Sequence, residues 1–422
     1  MSEIQEGQEC RPEQVFMDAQ FDFCETILSL DQLLNASTLP AIKHIDSARR
    51  TKTIMDAISS GGDGEAVRAW LELGSRNYAQ IQAIADERER NVALSEWQEK
   101  RRDSLAEIIK NAAESGHDVG SRIHLAVRQV RARPMPDDLI RRSVLVTLIS
   151  AFEAVIGRAY RATLKRRPEL YMSGEREYSL AEIVKTGSLE PLIEAAIEKK
   201  VDAALRGGLE DWEKIFIKVD AHLKKLCINW ENTVEVFQRR NALIHTHGSV
   251  NSTYAAKVKN APPVGTPLVI DDGYLRQAIN QIAALGNLLI LRSWLHLYPQ
   301  SNFLATGVLY LYLDDFLSCG YNAAVEKMAD EMKGVKNDLD VKIQMRLYAW
   351  LARKNMYGVE AIRSDLEAWD TSALKSEFAF SKAFLLGDFE GAEELRKAAA
   401  ARSEPWAADV SSMAIVRFHQ DK

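Results

Sequence analysis

The stretch Asp137-Asp138-Leu139-Ile140-Arg141-Arg142-Ser143-Val144-Leu145-Val146-Thr147-Leu148-Ile149-Ser150-Ala151-Phe152-Glu153-Ala154-Val155-Ile156 decides the fold class. Leu145, Ile149, Phe152 and Ile156 recur at three- and four-residue steps, which puts them on one face of a helix, and the paired aspartates offer an N-cap. Upstream, Arg131-Ala132-Arg133-Pro134-Met135-Pro136 cannot be regular helix, because each proline removes an amide donor and pushes the residue before it out of the α region. Downstream, Arg158, Arg161 and Lys165 continue the helical spacing as a basic stripe that ends at Arg166, Arg167 and the breaker Pro168. The whole composition agrees with packed helices. Aromatic residues make up 8% of the 422, with 11 prolines and 22 glycines, a balance that suits helices better than sheets. The expected class is all-α.

Charge narrows the function. Lys and Arg number 54 against 60 Asp and Glu, a formal net of -6, so the chain as a whole is no polycation built to coat nucleic acid. Between Asp137 and Gln300 the balance turns slightly positive while the flanks are acidic, which suits either a polyanionic ligand or an ordinary solvated surface. Cys10, Cys24, Cys227 and Cys319 contain no CxxC pair and lie far apart. They fit neither a zinc knuckle nor a disulfide framework, and read as reduced thiols in a cytoplasmic protein. The acidic start lacks the apolar core of a signal peptide. Glu153 interrupts an apolar run already shorter than the roughly 20 residues of a membrane span.

The chain divides into three by this reading. Residues 1–133 look like an amphipathic helical accessory or sensor region with breaks at Gly61–Gly64 and at Ser115, Gly116 and His117; the glycine run lacks P-loop spacing and reads as a turn. Residues 137–300 make a four-helix unit: the helix above, helices from about Ser179, a long one from about Leu209 to Ile244, a non-helical segment Val250–Leu268, and a helix capped by Asp271 and Asp272 that runs to about Leu297. In residues 301–422, Tyr321, Tyr357 and Phe389 each stand at a break between helices, about 36 and 32 residues apart, near the ~34-residue period of tetratricopeptide repeats. Helical hairpins of that kind are expected there, though Glu360 stands where the second unit should have a small residue.

The chemistry-bearing residues close the long helix: Phe237-Gln238-Arg239-Arg240-Asn241-Ala242-Leu243-Ile244-His245-Thr246-His247. At 100° per residue Asn241 and His245 share a face and Arg240 is offset to one side, so the amide can orient the imidazole. An Arg beside a His is what phosphodiester chemistry without a metal requires, a proton carrier and a permanent cation for the phosphorane. One His cannot serve both the 2'-hydroxyl and the leaving 5'-oxygen, whereas two copies across a dimer axis could. Glu153 must face water or pair with a base such as Arg239 or Arg240, as an orienting or a plain structural partner. His117 and His124 have no Cys or carboxylate at metal-ligand spacing, so neither a metal nor another cofactor is expected.

The Arg-Asn-x-x-x-His set, the helix Ser143–Ala154 with its embedded Glu153, and the continuation His247-Gly248-Ser249-Val250-Asn251-Ser252-Thr253-Tyr254 resemble the HEPN superfamily over Asp137 to Gln300. That resemblance implies a metal-independent endoribonuclease, working as a homodimer and leaving 2',3'-cyclic phosphate and 5'-hydroxyl ends. It implies Arg240 and His245 as the catalytic pair, with Asn241 holding them in register and Glu153 orienting Arg240. His247 stands where toxins silenced by nucleotide transfer have Tyr, which argues against that control; it either assists with protons or phosphate or is an idle helix-end residue. Arg239 and His247, with Arg158, Arg161 and Lys165, are the expected RNA contacts, the last three being equally readable as a solvated face. Such enzymes commonly act as toxins or antiviral (phage) defence effectors in abortive infection, with a regulatory protein or trigger bound by the flanking helices. The competing expectation is a non-catalytic dimerisation scaffold that recruits a partner.

Overall fold

A computed structural model describes residues 13–37, 136–170, 187–336 and 338–419, together with Val184 and isolated positions between 52 and 128. Among the described residues every regular element is a helix, and the one β-type contact is an isolated antiparallel bridge between Ser249 and Pro267. The all-α class therefore holds. The expected turn at Gly61–Gly64, the break at Ser115–His117, His124 and Cys10 lie outside the described residues.

The helices are α1 (Gln14–Ser37), α2 (Pro136–Arg166), α3 (Glu190–Leu205), α4 (Leu209–Phe216), α5 (Leu223–Leu226), α6 (Trp230–His245), α7 (Ser252–Lys257) and α8 (Asp272–Leu297). They are followed by α9 (Asn302–Tyr310), α10 (Leu313–Ser318), α11 (Asn322–Lys333), α12 (Leu339–Tyr357), α13 (Glu360–Ala368), α14 (Ser376–Leu386), α15 (Phe389–Ala401) and α16 (Ala414–Arg417). Pro136 opens α2, where its missing amide costs nothing. Leu145, Ile149, Phe152 and Ile156 are fully buried as their spacing requires. Phe152 packs against Trp212 of α4 and Phe237 of α6 with ring centres 6.0 and 5.7 Å away, and those two rings are 5.7 Å apart. Two edge-on contacts and one tilted contact thus fix α2, α4 and α6 around one point, each ring burying about 150–250 Å2. The Trp212 indole N–H donates to the Ala204 carbonyl at 2.8 Å and ties α3 in.

Two corrections concern element limits. The expected helix from Leu209 to Ile244 is three, α4, α5 and α6. Asp220 takes a left-handed φ of 57° between the first two, and Asn229, extended, caps α6 by accepting from the Asn232 amide at 2.9 Å. The expected non-helical segment Val250–Leu268 contains α7, capped in the same way by Asn251. In both cases an Asn side chain competes with the backbone and restarts the helix.

The compact units also differ from the expected thirds. Met1–Leu34 and Arg141–Lys422 form one, and Asn35–Ile140 the other. The physical reason is α8, which is buried on nearly all sides and so must be covered from several directions. Phe16 of α1 stacks on its Trp294, and a Cβ placed on its Gly286 would lie 2.3 Å from the Phe23 ring of α1. On another side Asn280 accepts from the Ala324 amide of α11 at 3.1 Å, and Arg292 pairs with Glu331 at 2.5 Å. Residues 301–422 are therefore continuous with 141–300. They do form hairpins, α11 with α12 and α14 with α15. Their supposed anchors are not equivalent, however: Tyr321 is buried, whereas Tyr357 is 66% and Phe389 47% exposed.

Candidate functional site

Helix α6 carries the motif because its apolar side is pinned. Thr233, Val236 and Phe237 are buried, and that sets the rotational phase that aims Arg240 at α2. The Arg240 Nη2 atom lies 2.5 Å from Glu153 Oε2, and Nη1 donates to Asn241 Oδ1 at 3.0 Å. Its Nε is buried and meets no acceptor. Glu153 thus meets Arg240 and not Arg239. Burial is the largest influence on Glu153 and lifts its carboxyl above the ordinary carboxylate range, against the opposing pull of the Arg240 charge and hydrogen bond.

His245 is the last residue of α6 and is exposed. The sequence placed Asn241 as the orienting partner of its ring, but the Asn241 oxygen is taken by Arg240 and no hydrogen bond joins Asn241 to His245. The reason is reach: the Arg240 guanidinium folds back across α6 to its neighbour, while the imidazole leaves the helix end toward solvent. His247 is also exposed, with a left-handed φ of 53°, and Gly248 follows at 83°. The amides of Thr246 and Gly248 both donate to the Ala242 carbonyl, closing the end of the helix just beneath the two imidazoles.

A small lobe holds that end in place. Residues 248–250 run against 265–268 through Leu268 N to Gly248 O, Val250 N to Thr266 O and Gly265 N to Val250 O, and Val250, Tyr254 and Leu268 pack on Ala242. The polar anchor is Glu235, which the sequence reading did not single out. Its Oε1 accepts from the Tyr254 hydroxyl and from Arg239 Nε, both at 2.6 Å, and its Oε2 from the Tyr274 hydroxyl at 2.8 Å. Burial, first of all, pushes Tyr254 up to about 12, and the same cause raises Tyr274 well above its ordinary value. The spacing of Glu235 and Arg239, four residues apart, was the available signal.

Arg239 is correspondingly committed. It lies 4.0 Å over the Tyr274 ring and donates to the Val269 carbonyl as well as to Glu235. The stripe on α2 is neutralised too: Arg158 pairs with Asp22 of α1, Arg161 with Glu198 and Lys165 with Glu194 of α3, at 2.5, 2.5 and 2.7 Å. The cations that spacing placed on one face of α2 are met by carboxylates from neighbouring helices. Among the described residues no group of three His, Cys, Asp or Glu side chains could hold a metal ion, and no described helix is long and apolar enough to cross a membrane. Compared with protein-family models, curated proteins and solved structures, the chain matches none.

Proposed function

We propose that this protein is a metal-independent endoribonuclease of the HEPN type, acting as a cytoplasmic homodimer whose two motif copies face one RNA strand. The observation that carries the reading is the Arg240 guanidinium, held by Glu153 and Asn241 on the same helix as the exposed His245, about 1.4 turns before it. One imidazole removes the 2'-hydroxyl proton as that oxygen attacks phosphorus, the P–O5' bond breaks, and the imidazole of the second copy delivers a proton to the leaving oxygen. Arg240 supplies a fixed cation where charge accumulates on the phosphorane. The products are a 2',3'-cyclic phosphate and a 5'-hydroxyl. A toxin or defence effector restrained through its other helices is the role this chemistry suits best.

The test uses total RNA and the full chain in EDTA, with sequencing of the new ends. Wild type should cut and leave cyclic phosphates, while Arg240→Ala and His245→Ala should each lower cleavage by at least about 100-fold with fold and dimer retained. Cleavage surviving in both variants removes the assignment. The second reading, a non-catalytic dimerisation scaffold, draws on the neutralised stripe and the committed Arg239; it predicts no cleavage by wild type at any RNA concentration.

A further inference from the structure

Arg142, in the second turn of α2, is a cation that the motif does not use. It is partly buried, and its Nη2 atom lies 3.9 Å from where a Cβ on Gly248 would stand. Gly248 follows His247 and is tied on both sides: its amide donates to the Ala242 carbonyl and its carbonyl accepts from the Leu268 amide. The guanidinium therefore stands against held backbone at the end of α6 that carries the two exposed imidazoles.

The packing of α2 on α6 explains how it arrives there. Phe152 and Glu153 meet Phe237 and Arg240, whereas Arg142, earlier on α2, meets Gly248, beyond the end of α6, so the two helices run antiparallel. Arg142 and Glu153 are about three turns apart and share a face of α2. The face that brings Glu153 to Arg240 thus brings Arg142 to the other side of His245.

The neighbouring arginines are spent. Arg141 pairs with Asp272 at 2.7 Å, Arg239 with Glu235 at 2.6 Å and Arg240 with Glu153 at 2.5 Å. Among the described residues Arg142 has no hydrogen-bond or ion-pair partner, and a guanidinium with its donors unused is a site for an anion. It also answers a repulsion. The carbonyl end of α6 carries partial negative charge that opposes a phosphate approaching His245, and an unpaired cation at that end offsets it. The Arg240–Glu153 pair, whose opposite charges cancel, does so less well.

We infer that Arg142 binds a phosphate of the RNA strand next to the one that is cut. Its head and that of Arg240 stand at opposite ends of the shared face, at Gly248 and at Glu153, so they take different phosphates, Arg240 the scissile one and Arg142 a neighbour. The inference rests on the ribonuclease reading, which puts the strand at His245. Such a contact is equal in the ground and transition states, so it sets KM and leaves kcat. Being made to phosphate, it carries no base preference.

Arg142→Gln and Arg142→Met each remove the charge and keep most of the stem, so a folding failure in one leaves the other; Arg142→Lys keeps the charge. Binding of a fluorescent single-stranded RNA to full-length protein carrying His245→Ala is read by anisotropy over a salt series, and cleavage kinetics are measured with His245 intact. At about 0.15 M salt, losing the charge should weaken binding about ten-fold and raise KM about ten-fold with kcat unchanged. The slope of log affinity against log salt should fall by about 0.7, whereas Arg142→Lys should keep the parent slope. A slope unchanged in the neutral variants, or lowered as much in Arg142→Lys, overturns the assignment, as does a fall in kcat with KM unchanged. So does loss of the dimer, which would make Arg142 a contact between copies. If the protein with His245 intact never cuts but its RNA affinity depends on Arg142 in this way, the ribonuclease reading falls and the phosphate site stands. If it cuts and the neutral variants bind and cut as the parent does, the reverse holds.

Discussion

Arg240 keeps its charge in a position where the side chain is only 16% exposed, and two acceptors make that tolerable. Glu153 shares the same cost, and burial wins over the attraction of its partner, so its carboxyl holds a proton more tightly folded than unfolded. The sign follows. Because the folded pKa lies above the unfolded 4.5, the folded state binds more protons between the two values, and stability falls as pH rises through that window and is level above it. Glu153→Gln cannot titrate. The stability of wild type relative to this variant should therefore decline as pH is raised from about 4 through the raised pKa, as measured by urea unfolding at a series of pH values. A difference that instead grows with pH would mean the Arg240 attraction dominates. That an acid inside the apolar run Ser143–Ile156 needs a base was legible from the sequence. Which base was not, since Arg239 and Arg240 differ by one 100° step and only the burial of Val236 and Phe237 fixes the phase. The partner of His245 was misread for a related reason: helical spacing says which residues share a face, not which of two neighbours an amide will choose.

At the level of elements, the end of α6 depends on the lobe that follows it, and the lobe depends on one carboxylate. Glu235 and Arg239 are 18% and 16% exposed at their side chains. Replacing Glu235 by Ala would strand a largely buried guanidinium and leave the Tyr254 and Tyr274 hydroxyls without their acceptor. We expect Glu235→Ala to cost about 3 kcal/mol, read as a lower urea midpoint, and to lower RNA cleavage because α6 loses the cap beneath His245. Tyr274→Phe, which removes one hydrogen bond and keeps the ring under Arg239, should cost about 1 kcal/mol. Equal losses would show that Tyr274, and not the ion pair, holds the lobe. Sequence periodicity identified α2 and α8 to within a few residues because their apolar faces are long; Asp271 caps α8 as expected, whereas α2 already starts at Pro136, so Asp137 and Asp138, expected as its cap, lie inside its first turn. Periodicity merged α4, α5 and α6 because no proline or glycine marks the breaks. They are made by Asp220 in a left-handed turn and by Asn229 as a cap, two residue types that helices also tolerate.

For the whole molecule, the decisive packing is between residues remote in sequence. Cys24 of α1 donates to Asn287 of α8 at 3.1 Å, and the buried Asp31 of α1 accepts from the Tyr321 hydroxyl and pairs with Arg276 at 3.3 Å. No local pattern announces such contacts, so a division at residue 133 was the natural expectation and α1 the element it misplaced. A second copy of the chain is a further long-range requirement, because the proposed reaction needs two imidazoles and each protomer offers one His245. This has a quantitative consequence. With the amount of wild-type chain held constant, equilibrating it with an equal amount of His245→Ala leaves about half of the active chains paired with one another, and three equivalents leave about a quarter. Cleavage should fall to about half and about a quarter accordingly, since a mixed dimer has a proton acceptor or a proton donor but not both. Cleavage that stays level on addition of the inactive chain would mean that one protomer holds a complete site, and His247, exposed two residues beyond His245, would then be the group to replace next.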